Sequence, residues 1–461
     1  MSENSLTKSK YIKNSKEPKV FRRISIFFLI SWYILPIYFG IELPGFDLTA
    51  IRLAIILLLI MIIASTSRLN DFIKMCKELT LSMVFLPYIF VIGYTMVFRV
   101  DFNAFFNPFM DILAMFLLIY AMKESLGAKE TIKFIRVFIY ILVLLGIVEF
   151  LMDDTPFKYL ETISGIKTAR FVRSGHYRIM SNCVHSLGYG LMLLTAVPFA
   201  VYDERKDEAD LFRRPFLLVL ILLNVFLTGS RSTLGVVFLE LALVFIFSKK
   251  YYKKRALITG FVMIIAFIAF LIVAYKTSLG QYILLQITTV IDEILGTNIA
   301  EAFGASQTAL EQSSDYRDKL IKIFQVSWLN PLIGIGRKRS FSGVIDGSTI
   351  KSIDSFYIAE YVRYAYPGMI AFIMVLLYFL WSTFKNCIQT KSGLSKVIFI
   401  SILCYMINIY WVDSLQTFKY IYALMAIFIV ANYKECINVR EKYETNSRYL
   451  KKANIKKWKK D

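Results

Sequence analysis

Long apolar runs, separated by short polar segments, recur along the chain. An α-helix needs about 20 predominantly apolar residues to cross a bilayer, and Ala256–Tyr275 meets that demand without one charged residue. Comparable runs lie at Ile24–Gly40, Leu48–Thr66, Leu79–Phe98, Phe105–Met122, Val137–Leu151, Cys183–Tyr202, Pro215–Thr228, Thr233–Phe247, Tyr366–Phe384, Val397–Val412 and Phe418–Tyr433. About twelve spans are therefore predicted. The shortest interruption falls between Leu227 and Thr233, and closing it into one helix would invert everything downstream. Between residues 276 and 365 the pattern changes. Apolar positions recur at helical spacing in Leu279–Ile294 and Leu320–Leu329 but are interrupted by polar stretches, so short helices lying over the bundle are expected there. The fold class predicted is all-α: a single polytopic membrane domain over residues 1–461, with one large extracytoplasmic loop at 276–365.

Composition supports this. The chain is 57% hydrophobic and 19% charged, against about 25% charged residues in an ordinary soluble protein. The net charge of +20 acquires meaning only when it is located. Residues 1–23 hold seven Lys/Arg and residues 434–461 hold ten. With twelve spans both tails share a side, together with the basic loops Arg68–Glu78, Lys123–Arg136, Lys249–Arg255 and Lys385–Lys396. These segments, with Asp203–Arg214, carry +21, whereas the opposite loops sum to zero. The bias of cytoplasmic loops toward Lys and Arg then predicts a multi-pass membrane protein with both termini cytoplasmic. The first apolar run follows a basic stretch but no small-residue cleavage site, as in an uncleaved signal anchor. The positive charge is thus a topology signal and not a nucleic-acid footprint. Five scattered cysteines and two histidines make neither a disulfide framework nor a metal site, and no phosphate-binding glycine loop occurs. No cofactor and no metal are expected.

Polar features that would be costly in a bilayer without a purpose gather on the predicted outer side. Arg231 lies in the turn Thr228-Gly229-Ser230-Arg231, where a cation needs a cavity or a partner; taken alone it could equally be a snorkelling interfacial residue. Residues 152–182 carry Arg170, Arg173, His176 and Arg178, against the positive-inside trend. Arginine suits bidentate phosphate binding. The large loop contains Ser314-Asp315-Tyr316-Arg317, then Pro331-Leu332-Ile333-Gly334-Ile335-Gly336-Arg337, then Asp354 and Glu360 just before the next span. Five ionisable residues fall inside the predicted spans: Arg52, Asp111, Glu149, Glu240 and Lys419. All but Glu240 lie toward the outer end, which suggests an outward-opening polar cavity. Interfacial placement is the plainer alternative.

In this order and topology, the residues resemble the O-antigen ligase/polymerase family of bacterial surface-polysaccharide enzymes. The resemblance covers roughly residues 170–368. It rests on an arginine-bearing loop, the T-G-S-R turn, the Ser/Arg segment and the P-L-x-G-x-G segment. One departure stands out: where ligases of this family carry a histidine, this chain has Asp354 followed by Ser355. That favours a repeat-unit polymerase for capsule, exopolysaccharide or O-antigen over a ligase.

The resemblance implies metal-independent glycosyl transfer on the outer leaflet. Undecaprenyl-diphosphate-linked oligosaccharides would be donor and acceptor, with membrane lipids and a chain-length regulator as further partners and no nucleic acid. The leaving diphosphate requires cations: Arg231 and Arg317 first, Arg173 and Arg178 second. Asp354 is the expected base for the acceptor hydroxyl, with Glu360 as the runner-up. Tyr316 and Tyr357 are expected against sugar, as is Glu360. A transporter or flippase for lipid-linked sugars is the rival class; it predicts midplane charges and paired halves, whereas the charges here lean outward.

Overall fold

A computed structural model describes residues 19–43, 46–166, 170, 172–173, 176–304, 316, 319–345, 347–350 and 352–437. The chain is predominantly helical. In order, the main helices are α1 (Lys19–Tyr33), α2 (Ala50–Ile63), α3 (Thr66–Glu78), α4 (Thr80–Arg99), α5 (Phe102–Ala121), α6 (Gly127–Met152), α7 (Ser186–Val201), α8 (Pro215–Leu227), α9 (Arg231–Phe247), α10 (Lys250–Ala274), α11 (Ser278–Leu295), α12 (Phe356–Thr390), α13 (Gly393–Asn408) and α14 (Phe418–Ala431). Strands, which an all-α reading omits, occur among the described residues as four two-stranded antiparallel hairpins between helices. The largest pairs Gly40–Leu43 with Phe46–Thr49. Each supplies backbone partners where no helical ladder can.

Among the described residues, four helical stretches are long and apolar enough to cross a membrane: Thr80–Arg99, Phe102–Met152, Lys250–Ala274 and Phe356–Thr390. The second is divided by a π-turn at Met122–Leu126 and by Gly127 at φ 69° into α5 and α6. Other apolar helices are shorter, such as Ser186–Val201 and Pro215–Leu227. The lengths thus identify an integral membrane protein without fixing twelve crossings. Segment Arg68–Glu78, expected to be a loop, is helical: α3 bends from α2 by 112°. Its apolar positions recur at helical spacing and dock, with Phe72 edge-on to Tyr120 at 5.5 Å. The break expected between Leu227 and Thr233 is present, with Gly229 at φ 60° and the Ser230 side chain capping α9.

Prolines inside helices organise the long-range contacts. A proline cannot donate to the carbonyl four residues earlier, so that oxygen needs another partner. Pro108 releases Ala104 O, which accepts from the Tyr364 hydroxyl at 2.6 Å. Pro198 releases Leu194 O, which faces Ser401 Oγ at 3.5 Å. The largest case is α12, which breaks at Ala365 (φ 56°, ψ −167°) before Pro367. There Val362 O and Arg363 O accept from Ile335 N (2.9 Å) and Gly336 N (3.0 Å), and Tyr366 N donates to Pro331 O (3.2 Å). The Pro331–Gly336 segment therefore completes a broken helix.

At the opposite end of the helices lies segment 203–214, acidic among basic neighbours. Its acids are paired: Glu204 with Arg136 and Arg214, Asp203 with Arg213 at 3.3 Å, Asp210 with Arg255 at 3.2 Å, and Glu208 with Lys249. Asp207 Oδ1 accepts from Leu394 N at 3.1 Å, and Gly393 N donates to Asp207 O at 3.0 Å. This segment ties α6, α8, α10 and α13 together.

Candidate active site

The T-G-S-R turn is built from both sides. Arg178 is 3% exposed, and its Nε donates to Thr228 O at 2.6 Å. Ile179 N donates to Leu227 O at 3.2 Å. Gly229 lies under this contact. A Cβ there would approach Tyr282 Oη to 2.6 Å and Arg178 Nε to 3.1 Å. Tyr282 belongs to α11, so a helix of the large connecting segment seals the turn. Arg231 follows as the first residue of α9 and is half-buried. A helix N-terminus offers unpaired N–H groups and a positive field, so Arg231 and Arg178 lie in an environment suited to an anion.

Glu149 explains why the arginine-bearing segment returns to this place. It is fully buried and accepts from Tyr177 Oη (2.8 Å), Met180 N (2.8 Å) and Ser181 N (2.7 Å). The expectation that Glu149 lines an open cavity is corrected: its oxygens are used to hold residues 177–181 in place. Arg173 pairs through its backbone with His176 in a two-residue hairpin. Arg170 is exposed and bridges to Asp153 at 3.3 Å.

Asp354 lies at the entry to α12 and is half-buried. It accepts from Ser352 Oγ at 3.0 Å. Tyr316 is tied to the same segment: its hydroxyl donates to Ser352 O and accepts from Ser352 N at 3.2 Å. Arg317 lies outside the described residues, but its neighbour Tyr316 is thereby anchored two residues before Asp354. His185, which sequence reasoning set aside, lies within electrostatic reach of both Arg178 and Asp354. Its Nδ1 accepts from Leu187 N at 3.1 Å and caps α7. A histidine thus stands near Asp354 from another element, and no spacing in the chain signals it.

Glu360 is not brought to Asp354. It is 1% exposed and faces Arg337 Nη2 at 3.7 Å and Tyr88 Oη at 3.4 Å. Arg337 is the residue that sequence reasoning quoted but gave no role. Its Nε donates to Tyr364 Oη at 2.6 Å. Burial opposes its charge, but Tyr364 and Glu360 outweigh burial and hold it firmly protonated. Asp101 fixes the adjoining backbone, accepting from Arg337 N at 2.6 Å and Lys338 N at 2.7 Å. Arg99 donates to Gly334 O (2.6 Å) and Ile333 O (2.9 Å), and Tyr94 Oη to Leu332 O (2.8 Å). Glu360 and Arg337 therefore lock the Pro331–Arg337 segment. Tyr357 commits its hydroxyl to Met406 O at 2.8 Å, so that group is not free to meet a sugar. Beneath the locked segment an apolar cleft of about 620 Å³ opens between α4 and α12, lined by Phe90, Tyr94, Leu332, Ile333, Pro367 and Met374.

A search of curated proteins gives no match to the chain. Residues 216–367 match the O-antigen ligase family. The matched stretch contains the T-G-S-R turn, the segment docked on the helix break, Asp354 and Glu360, whereas Arg178, His185 and Glu149 lie before it. Over residues 216–367 the chain is thus similar to the O-antigen ligase family, a family of membrane glycosyl-transfer enzymes.

Proposed function

We propose that the protein is a polysaccharide polymerase that joins undecaprenyl-diphosphate-linked oligosaccharide repeat units on the outer face of the bacterial plasma membrane, with both termini cytoplasmic. The observation that supports this reading is that Arg178 is hydrogen-bonded to the Thr228–Arg231 turn while His185 lies within electrostatic reach of both Arg178 and Asp354. Cations are needed where the diphosphate departs, and a carboxylate is needed where the acceptor hydroxyl loses its proton. In the proposed step, the acceptor oxygen bonds to the anomeric carbon of the donor sugar while the bond from that carbon to the diphosphate oxygen breaks. The proton passes to Asp354, and the diphosphate leaves with its charge held by Arg231 and Arg178, joined by Arg317 and Arg173. Preorganised cations in a site of low dielectric act most strongly on charge that grows in the transition state. The apolar cleft between α4 and α12 offers a seat for isoprenoid carbon.

The departure at the ligase histidine position favours polymerase over ligase: here an acid stands in the chain position and the nearby histidine comes from α7. The test is lipid extraction from cells carrying Arg231→Ala or Arg317→Ala at wild-type protein levels. Outward-facing, single lipid-linked units should accumulate and polymer should vanish. Long chains from both variants would overturn the site. Units trapped on the inner face of a deletion strain would indicate a flippase instead. Retained polymer that fails only to join a lipid A-type acceptor would indicate a ligase.

A further inference from the structure

Two adjacent residues at the C-terminal end of α13 join the two halves of the proposed site. Asn408, the last residue of α13, donates from Nδ2 to Thr233 Oγ1 at 3.1 Å. Thr233 Oγ1 lies 2.8 Å from Ser230 Oγ, and Ser230 is the cap on which α9 begins, with Arg231 as its first residue. Ile409 accepts at its carbonyl from Phe356 N at 3.0 Å. Phe356 opens α12, two residues after Asp354. The side chain of Asn408 thus reaches the start of the helix that carries Arg231, and the backbone of Ile409 reaches the start of the helix that follows Asp354. Ile409 N donates to Tyr405 O and Trp411 N to Asn408 O, both at 3.0 Å, so the pair sits on a held backbone.

The contact is dry and closely fitted. Ser230, Thr233 and Asn408 are all buried. From α7, a Cβ at Gly190 would lie 2.8 Å from Thr233 Oγ1, so the bare backbone there lets the hydroxyl stand between α7 and Asn408. One atom is left over. Asn408 Oδ1 is buried and has no hydrogen-bond partner among the described residues. An unmatched buried acceptor is destabilising, whereas an apolar group of the same shape is not. Leucine has the same branched outline and as many side-chain heavy atoms. It would leave nothing unpaired, because Thr233 Oγ1 keeps Ser230. Stability alone therefore favours leucine at this position, and the amide must be accounted for by what it holds.

We infer that Asn408 is a positioning residue: through Thr233 and Ser230 it sets where Arg231 starts α9, relative to the Asp354 segment behind which Ile409 holds α12. This rests on the polymerase reading, in which the cation on the departing diphosphate and the base on the acceptor hydroxyl must flank one anomeric carbon. Arg231 and Asp354 belong to different elements, so their spacing is set by whatever ties those elements together. A misplacement of about 1 Å costs about a hundredfold in rate. Asn408, buried behind the turn, touches no reacting atom in this scheme.

The test uses the full chain purified in detergent, with lipid-linked repeat units extracted from a strain lacking the protein as donor and acceptor. Transfer per folded molecule and unfolding temperature are measured on the same samples. Asn408→Leu should melt at or above the wild-type temperature yet lose at least about tenfold in kcat, with KM little changed. Thr233→Val removes the hydroxyl at the other end of the contact and should lose kcat to a similar extent. Combining the two should cost little more than either. Thr233→Ser keeps the hydroxyl and should keep most of the rate. Wild-type kcat in folded Asn408→Leu overturns the inference, as does a loss that merely follows the folded fraction. Should Asn408→Leu fail to fold, equal rates for Thr233→Val and Thr233→Ser overturn it. Arg231→Ala is measured alongside. Inactive Arg231→Ala beside fully active Asn408→Leu rejects the positioning role alone, whereas Arg231→Ala at the wild-type rate overturns the polymerase reading and the inference with it.

Discussion

Asp101 and Arg337, 236 residues apart, are joined by a side chain gripping a backbone: Asp101 Oδ2 accepts from Arg337 N at 2.6 Å and from Lys338 N at 2.7 Å. Asp101 is 3% exposed and also caps α5. Leaving buried donors without acceptors costs about 1–3 kcal/mol each. Asp101→Ala is therefore expected to destabilise the protein by roughly 2 kcal/mol or more, and Asp101→Asn by less, because an amide oxygen still accepts. Thermal unfolding in detergent measures both. Equal stability of Asp101→Ala and wild type would show that the contact holds nothing.

Two glycines make the docking on α12 possible for different reasons. A Cβ at Gly334 would lie 2.1 Å from Arg363 O, and one at Gly336 would lie 2.6 Å from Asp101 Oδ2 in a backbone at φ 81°. Gly334→Ala collides with backbone that cannot yield, so it should detach the segment and expose it to protease. Gly127 also has positive φ (69°), but no atom lies within 4 Å of its Cβ position. Gly127→Ala should show only the cost of a backbone region open essentially to glycine (φ 69°, ψ 157°), about 1–3 kcal/mol. Limited proteolysis of the three proteins separates collision from strain.

At Gly229 the obstacle is the end of a side chain, Tyr282 Oη at 2.6 Å. Gly229→Ala should push α11 off the turn and lower polymer yield strongly. Adding Tyr282→Phe removes the hydroxyl and should restore part of the yield, the remainder being the φ 60° strain. A double-mutant cycle on yield and unfolding temperature reads this coupling; additive losses would contradict it.

Asp354 and Glu360 should separate in kind. A positioned general base contributes about 10²–10⁴-fold to rate, so Asp354→Asn should cut transfer by roughly a hundredfold or more at unchanged unfolding temperature. Glu360→Gln leaves Arg337 without its buried carboxylate and should lower the unfolding temperature, with a smaller change in rate per folded molecule. Rate and melting measured on the same purified samples decide between them. The reverse pattern would exchange their roles.

Tyr316 bonds to Ser352 twice through one hydroxyl, and Ser352 Oγ donates to Asp354. Tyr316→Phe should therefore lower transfer through Asp354 even though the ring is retained, whereas loss of a sugar-stacking role would spare this variant. Comparing Tyr316→Phe with Tyr316→Ala in the transfer assay tells the two apart.

Much of this protein could be read from its residues taken in order. Apolar runs as long as Lys250–Ala274 have no stable place except a bilayer or a buried core, so composition and periodicity determine helices and membrane. Local chemistry likewise determines the Gly229 turn and the Ser230 cap, because φ and capping depend on immediate neighbours. The T-G-S-R and P-L-x-G-x-G strings pointed to the family for the same reason. What they contact was not legible. A carbonyl freed by a proline has no side-chain signature, so nothing in the chain announces that Arg363 O would meet Gly336 N, or that Ala104 O would meet a tyrosine 260 residues away. Glu149 and Glu360 looked alike as acids near span ends. Only packing determined that the first holds residues 177–181 and the second holds Arg337, since the partners of a buried charge come from other helices. His185 comes within electrostatic reach of Asp354 by the same route: helix packing, which no local pattern records, decides which distant polar groups must satisfy one another where water is excluded.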